Sequence, residues 1–173
     1  MKIARKLPLG LAIVLGIMLA AALFGLWRMH ASVDELTGPI ADAVDSERQA
    51  DAVYLEFRGQ VQEWKNVLLR GGDPEQLKKY WSAFEKAEGQ VAKRSATLRE
   101  HLAPGQARET LDQFIASHAE LGRRYRQGLE AYRATSPGPR VGDRAVAGVD
   151  RAPVQQIDKV SDLLREESAA ASQ

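Results

Sequence analysis

The side chains that could carry out chemistry are few in this chain. It contains no cysteine, which excludes disulfides, thiolate metal sites and a cysteine nucleophile. His118 lies between Phe114 and Leu121 at helical spacing, where a haem or metal ligand is conceivable. The other histidines, His30 and His101, do not lie one helical turn from it. We therefore interpret His118 as a hydrogen-bonded core or interface residue and predict no metal and no cofactor.

The charged residues form no catalytic constellation either. Glu120, Glu130 and the pair Arg123-Arg124 are typical of a solvated helix face. No spacing indicates a nucleophile with its base, a glycine-rich phosphate loop or carboxylates gathered around a metal. The sequence predicts that the chain is not an enzyme and has no catalytic residues.

Three aromatic residues, Trp64, Tyr80 and Trp81, could wall a pocket. Trp64 and Trp81, however, repeat with the apolar residues of their predicted helices, so we favour core packing for both. Lys65 and Asn66 are offset from that apolar repeat, toward solvent or a partner chain.

The composition favours helices and argues against nucleic-acid binding. The 173 residues amount to one domain once any membrane segment is set aside, and only 6% are aromatic. There are 24 Lys and Arg, three of which precede the apolar stretch described next, against 23 Asp and Glu. A chain whose positive and negative charges are so nearly balanced is a poor partner for nucleic acid, because nucleic-acid binding needs concentrated positive charge. We predict an all-α protein.

Residues 9–27, LGLAIVLGIMLAAALFGLW, contain no charge. At about 1.5 Å per residue they span roughly 29 Å, close to the hydrocarbon core of about 30 Å. A cleaved signal peptide has a shorter apolar region that ends at small residues, whereas Leu23, Phe24, Leu26 and Trp27 continue the stretch here. We favour a retained transmembrane helix.

The charges that flank this helix predict its orientation. Lys2, Arg5 and Lys6 lie in residues 1–8, which the positive-inside rule places in the cytoplasm. Residues 28–173 then lie beyond the inner membrane.

Four helices are predicted in residues 28–173, at about 28–70, 74–102, 106–134 and 143–170. Glycines and prolines mark their ends, as in Gly71-Gly72-Asp73-Pro74 and Ala103-Pro104-Gly105. Pro153 either starts a regular helix or bends a longer one. The first helix repeats at spacings of four and three, as helices in bundles do, through Leu36, Ile40, Ala43, Glu47, Ala50, Tyr54, Phe57, Val61, Trp64 and Leu68.

Short turns between long helices make sequential neighbours antiparallel. We predict an up-down-up-down antiparallel four-helix bundle whose first helix continues from the transmembrane helix. The last helix returns to the membrane, but the tail from Glu166 onward is too polar and too short to cross it. The sequence is therefore expected to be either a fragment of a longer receptor or a stand-alone anchored bundle.

Several segments resemble the sensory region of proteobacterial methyl-accepting chemotaxis proteins: FRGQVQEWKNVLLRG at 57–71, Asp73-Pro74, KYWSAF at 79–84 and GDRAVAGVDRAP at 142–153. The resemblance covers the anchor and all four helices. It implies a periplasmic ligand-binding four-helix bundle that works as a homodimer, with the first helices meeting at the two-fold axis. The family's second membrane helix and cytoplasmic signalling coil have no matching residues here.

The resemblance also suggests ligand-binding arginines. In amino-acid chemoreceptors, arginines in the membrane-distal half clamp a ligand carboxylate through the bidentate guanidinium fork. Arg58 and Arg70 on the first helix, with Arg144 and Arg151 near the start of the last, are the corresponding candidates. The alternative is that they form solvated faces or weak helical pairs.

Our leading hypothesis is the sensory region of a bacterial chemotaxis receptor. In this hypothesis a small organic ligand or a periplasmic binding protein shifts helix packing, and the last helix transmits the displacement. Two alternatives stay open: a sensor attached to a cyclase or kinase output, and an anchored structural or interaction bundle without a ligand.

Overall fold

The described part of the chain is helical throughout. A computed structural model describes the backbone of residues 3–134 and 139–171, with side chains for 15–29, 41–134, 140 and 142–170. Residues 1–2, 135–138 and 172–173 lie outside the described residues, and with them the predicted turn at 136–138. The described ranges contain helices and no strand, so the prediction of an all-α chain is confirmed. The helices are α1 (Ile3–Arg70), α2 (Pro74–His101), α3 (Gln106–Ala134), α4 (Pro139–Ala145) and α5 (Arg151–Ala171).

The turn between α1 and α2 follows the local sequence. Asp73 caps α2, because its carboxylate Oδ1 accepts a hydrogen bond from the backbone N–H of Gln76 at 2.9 Å. Pro74 takes the first helical position, where its missing N–H leaves no helical hydrogen bond unmade. The structure thus has a helix start where the Asp-Pro pair predicts one.

The predicted last helix of about 143–170 needs correction, because the structure divides it. α4 ends at Ala145, a turn follows, and α5 begins at Arg151. Gly148 in the turn has φ +76°, a left-handed conformation that glycine adopts without steric cost and that a helix cannot contain. Pro153 lies in the first turn of α5, where proline is tolerated. Of the two alternatives for Pro153, the structure shows the helix start.

The chain divides into two compact units, of which the first is Met1–Asp42. Its described side chains, at 15–29, are all exposed, and the large apolar ones among them are 57% to 64% accessible. Across the described residues, no helix combines the length and the hydropathy needed to cross a membrane. Residues 9–14 of the predicted span lie outside the described side chains, and the span stays a prediction.

The second unit, Ala43–Gln173, holds the core. Leu36 and Ile40 of the predicted repeat lie outside the described side chains. The rest of the repeat is only partly right, because Ala43, Glu47, Tyr54 and Val61 are half-buried. The buried stripe of α1 is shifted slightly around the helix from the predicted one. It includes Ser46 and Gln60, which a search for apolar residues does not count. Its buried members are Ser46, Ala50, Val53, Phe57, Gln60, Trp64 and Val67.

Contacts between α1, α2 and α3 show their relative directions. Arg99, late in α2, pairs with Asp112, early in α3, whereas Glu88, in the middle of α2, pairs with Arg126, late in α3. These two helices therefore run in opposite directions. Along α1 and α3 the order is the same, since the Phe57 and Phe114 rings lie 5.7 Å apart and the Trp64 and Tyr125 rings 5.0 Å apart, between centroids.

Gly128 lets the turn after α4 approach α3. A Cβ at this position would lie 2.8 Å from Val146 Cγ1 and 3.2 Å from the Trp64 ring. Further along, the Ser117 hydroxyl of α3 donates a hydrogen bond to the side-chain carbonyl of Gln156 in α5. The chain from α4 to α5 therefore runs antiparallel to α3.

Candidate functional site

An open groove of about 360 Å³ lies between α1 and the start of α5. It combines two cations from α1 with one carboxylate from the turn before α5. We call it the Arg58 groove. It is lined by Tyr54, Phe57, Arg58, Val61, Gln62, Lys65, Asp150 and Val154.

The Arg58 guanidinium is oriented by its own helix. Its Nη1 donates a hydrogen bond to the Tyr54 hydroxyl at 3.3 Å, and its Cζ lies 5.6 Å from the centroid of that ring. Among the described residues, Arg58 makes no ion pair within 4 Å. Because a guanidinium carries five N–H donors in one plane, the groups not used by Tyr54 can bind a ligand carboxylate.

A second groove, of about 340 Å³, lies beside the first, between α1 and α4. Lys65 lines both grooves, and Arg140 and Asp143 line the second. Burial, followed by the charges of Asp150 and Asp143, raises the pKa of Tyr125. The two grooves on this flank of α1 are thus lined by both cations and carboxylates, which suits a ligand with groups of both signs.

Of the four predicted arginines, only Arg58 lines a described groove. Arg70 Nη1 donates to the Tyr80 hydroxyl at 2.7 Å, and its Cζ lies 5.5 Å from the centroid of that ring, so it ties α1 to α2. Arg144 and Arg151 are exposed and line neither groove. The structure does not bring the four together.

Four charged groove residues were missed from the sequence as candidates, namely Lys65, Arg140, Asp143 and Asp150. For Lys65 a signal was available, since it follows Arg58 by seven residues and so lies on the same flank of the helix. Arg140 and Asp143 lie in the short helix α4, and Asp150 lies in the turn between α4 and α5. The sequence predicted neither a separate α4 nor this turn.

His118 is a core residue, which confirms that interpretation. It is buried, its Nε2 lies 2.8 Å from Gln60 Oε1, and its ring stacks on Phe114 at 5.7 Å. Burial lowers the pKa of His118, against a smaller opposing effect of the Glu88 charge. The ring is therefore neutral at pH 7, with Nε2–H donating to the glutamine oxygen. The described residues contain no group of three or more acids and histidines arranged to hold a metal ion.

Trp64 is packed in the core, as predicted, whereas Trp81 is only partly buried and packs against the core. Trp64 is 3% exposed, and the Trp81 ring stacks on Phe84 with centroids 4.9 Å apart. Within the described part of the chain, two buried donors of α1 lack a hydrogen-bond partner, Gln60 Nε2 and Trp64 Nε1. The interior next to His118 is thus polar as well as aromatic.

Comparison with known proteins adds one relative. Over 154 residues, or 88% of this chain, the sequence is 38% identical to the methyl-accepting chemotaxis protein CtpH of Pseudomonas aeruginosa. The chain is related to a chemoreceptor. It spans about a quarter of that relative, 26% of its length. Neither a protein-family model nor a solved structure matches the chain.

Proposed function

We propose that this chain is the ligand-binding sensory region of a bacterial transmembrane chemotaxis receptor, and that it is not an enzyme. The observation that carries the proposal is the 38% identity to a chemotaxis receptor over 88% of the chain. A sensory region forms only part of a receptor, and the aligned part is 26% of the relative. A binding role also agrees with a groove that offers charged groups of both signs.

The proposed architecture is an up-down-up-down four-helix bundle, in which α4 and α5 together form the fourth arm. The opposite directions of α2 and α3 and the common direction of α1 and α3 support it. On α5, Arg165 pairs with Glu47 near one end of the bundle segment of α1, while Val154 lines the groove beside Arg58. The fourth arm therefore runs antiparallel to α1.

Residues 9–27 are proposed to anchor this bundle in the inner membrane, with residues 1–8 in the cytoplasm and 28–173 in the periplasm. The support comes from the uncharged stretch, the basic residues ahead of it and the exposed large apolar side chains at 15–29. A helix that is apolar on every side requires apolar surroundings, which a bilayer provides.

The proposed ligand is a small organic molecule that carries a carboxylate and an amino group. Arg58 and Lys65 supply positive charge for the carboxylate, and Asp150 supplies negative charge for the ammonium. Because the groove contacts both α1 and α5, an occupied groove favours one arrangement of these helices over another. A small relative displacement of α5 is then the signal.

Two copies of the chain are proposed to form a homodimer along the exposed face of α1. Leu55 and Leu69 are 66% and 73% exposed, and their separation of fourteen residues, two heptads, places them on the same stripe. Gly59 lies near this stripe, and a Cβ there would meet no atom within 4 Å. A large apolar side chain gains stability when a partner covers it.

A thermal-shift screen of the full chain in mild detergent tests the ligand proposal, with amino acids and organic acids as the panel. A ligand at about 100 times its dissociation constant stabilises the fold by about 2.7 kcal/mol, which raises Tm by several degrees. Arg58→Gln and Asp150→Asn should abolish the shift. Arg144→Gln is the matched control, because Arg144 is exposed and lies outside the groove lining.

Two outcomes would contradict direct sensing in the Arg58 groove. One is a shift that survives in Arg58→Gln, which would move the site elsewhere. The other is a folded protein with no shift across the panel, which would favour recognition of a periplasmic binding protein or a bundle without a ligand.

A further inference from the structure

A cavity of about 600 Å³ lies between α1 and α2, on the flank of α1 away from α5. Four of its residues repeat along α2 at spacings of three and four, and three lie within one turn and a half of α1. We call it the α1–α2 cavity. It is lined by Arg48, Gln49, Ala52, Gln90, Lys93, Arg94 and Thr97.

The cavity is lined by three cations and no carboxylate. Arg48 and Lys93 make no ion pair and no side-chain hydrogen bond within the part of the chain that the structure describes. Arg94 faces Glu56, but its Nε lies 3.5 Å from the carboxylate oxygen. Elsewhere in the bundle, cations are matched more closely, as in the 2.6 Å pair of Arg126 and Glu88.

Nearby acidic groups are committed to other partners or lie outside the lining. Asp45 accepts a hydrogen bond from Gln49 Nε2 at 2.6 Å, and Glu47 pairs with Arg165 of α5. The positive charge of the cavity is therefore only partly compensated from within the fold.

The size and the chemistry of the lining define a ligand class. A volume of about 600 Å³ falls within the range of small-molecule sites. The small Ala52 side chain leaves room at the floor, and Gln90 and Thr97 add neutral hydrogen-bonding groups. Because the cations come from two facing helices, they can bind anionic groups at two separate points, and guanidinium groups bind carboxylates bidentately.

We propose that the α1–α2 cavity binds an organic di- or tricarboxylate, held by Arg48 and Arg94 through paired hydrogen bonds and by Lys93 through its charge. This site goes beyond the proposed sensory function, since it lies on the other flank of α1 from the Arg58 groove. It can be present whether or not the chain belongs to a chemotaxis receptor.

Calorimetric titration of the full chain in mild detergent with citrate and succinate tests the proposal, with acetate for comparison. We expect saturable binding of citrate or succinate, one per chain, and much weaker binding of acetate. The double variant Arg48→Gln, Lys93→Gln should weaken binding by about tenfold or more, the loss of at least one charge-assisted contact.

Two single variants serve as matched controls. Lys86→Gln removes an exposed charge from α2 outside the cavity lining and should leave the affinity unchanged. Arg58→Gln should also leave it unchanged, which separates this site from the Arg58 groove. Circular dichroism of each variant checks the fold, and we expect no loss because Arg48 and Lys93 are exposed.

The proposal is overturned by any of three results. These are the absence of saturable binding for both citrate and succinate, equal weakening by Lys86→Gln and by the double variant, and binding that Arg58→Gln abolishes while the double variant retains it. The last result would assign the carboxylates to the Arg58 groove and leave the sensory proposal standing.

Discussion

Two faces of α1, over residues 43–70, carry different kinds of residue. On the inner face, Phe57 and Trp64 are fixed by rings of α2 and α3. On the flank toward α5, Arg58 and Lys65 line an open groove, where the Arg58 guanidinium donates a hydrogen bond to Tyr54 of its own helix. We propose that neighbours in sequence serve separate purposes here, one for stability and one for binding, and substitutions should tell the two faces apart.

The largest expected effect comes from the adjacent residues Phe57 and Arg58. Phe57→Ala should lower the free energy of unfolding by about 3 to 5 kcal/mol, because it empties a fully buried ring site. Arg58→Ala should change it by no more than about 0.5 kcal/mol, since the side chain is exposed. Urea denaturation of both variants measures the difference. Similar losses from the two would abolish the distinction between the faces.

Glycines sharpen the same contrast. Gly128→Ala should cost about 1 to 3 kcal/mol, because the new methyl group would press on Val146 and on the Trp64 ring. Gly89→Ala is the matched control on α2: a Cβ there meets no atom within 4 Å, so it should stabilise the helix by about 0.5 to 1 kcal/mol. Thermal unfolding of the two variants measures whether each substitution lowers or raises stability. A stabilising Gly128→Ala would mean that α3 and the turn after α4 are less closely packed than described.

His118 of α3, which packs next to the inner face of α1, should make the free energy of unfolding depend on pH. Burial lowers the pKa of His118 in the folded state, so the unfolded chain binds more protons just below the ordinary histidine pKa of about 6.5. Its contribution is fully present above that value and is lost as pH falls toward the folded-state pKa. Tm measured from about pH 7.5 to 5.5 should fall more steeply in the native protein than in His118→Gln.

Carboxylates provide the control for that measurement. Arg99 lowers the pKa of Asp112 through its hydrogen bond, so the stability that Asp112 contributes is lost only well below pH 5. Equal slopes for the native protein and His118→Gln in the histidine range would contradict a neutral buried His118.

The smallest expected effect concerns the predicted ligand arginine that the structure assigns to helix pairing. Tyr80→Phe removes the acceptor of the 2.7 Å hydrogen bond from Arg70 and should cost about 0.5 to 1.5 kcal/mol. Tyr54→Phe removes the longer contact to Arg58 on the exposed flank and should cost less. Should Tyr80→Phe change ligand affinity instead of stability, Arg70 would return to the binding site.

Local signals in the sequence predicted much of the fold. The Asp73-Pro74 pair and the break near residue 104 follow from turn and capping chemistry that acts within a few residues. The inner stripe of α1 was only partly predicted, because Gln60 counts as polar in any apolar pattern. Its burial depends on His118, 58 residues away in the sequence, whose ring nitrogen hydrogen-bonds to the Gln60 side-chain oxygen.

The candidate site depended still more on distant contacts. Arg58, Arg70, Arg144 and Arg151 are alike as sequence features, and resemblance to a family suggested all four. What separates Arg58 from Arg70 is a tyrosine on α2 that lies within reach of Arg70. What brings Asp150 to the groove is a turn that Gly148 makes possible. Neither is encoded in a local pattern.

The central claim, that the chain senses a ligand for a chemotaxis receptor, is tested most directly in a hybrid receptor. The chain would replace the segment of the Pseudomonas aeruginosa chemoreceptor to which it aligns, in cells that lack the native receptor. We predict that these cells change their swimming in a gradient of the compound with the largest thermal shift, and that Arg58→Gln abolishes the response without lowering receptor abundance. A hybrid that is abundant in the membrane and binds the compound, yet leaves swimming unchanged, would contradict it.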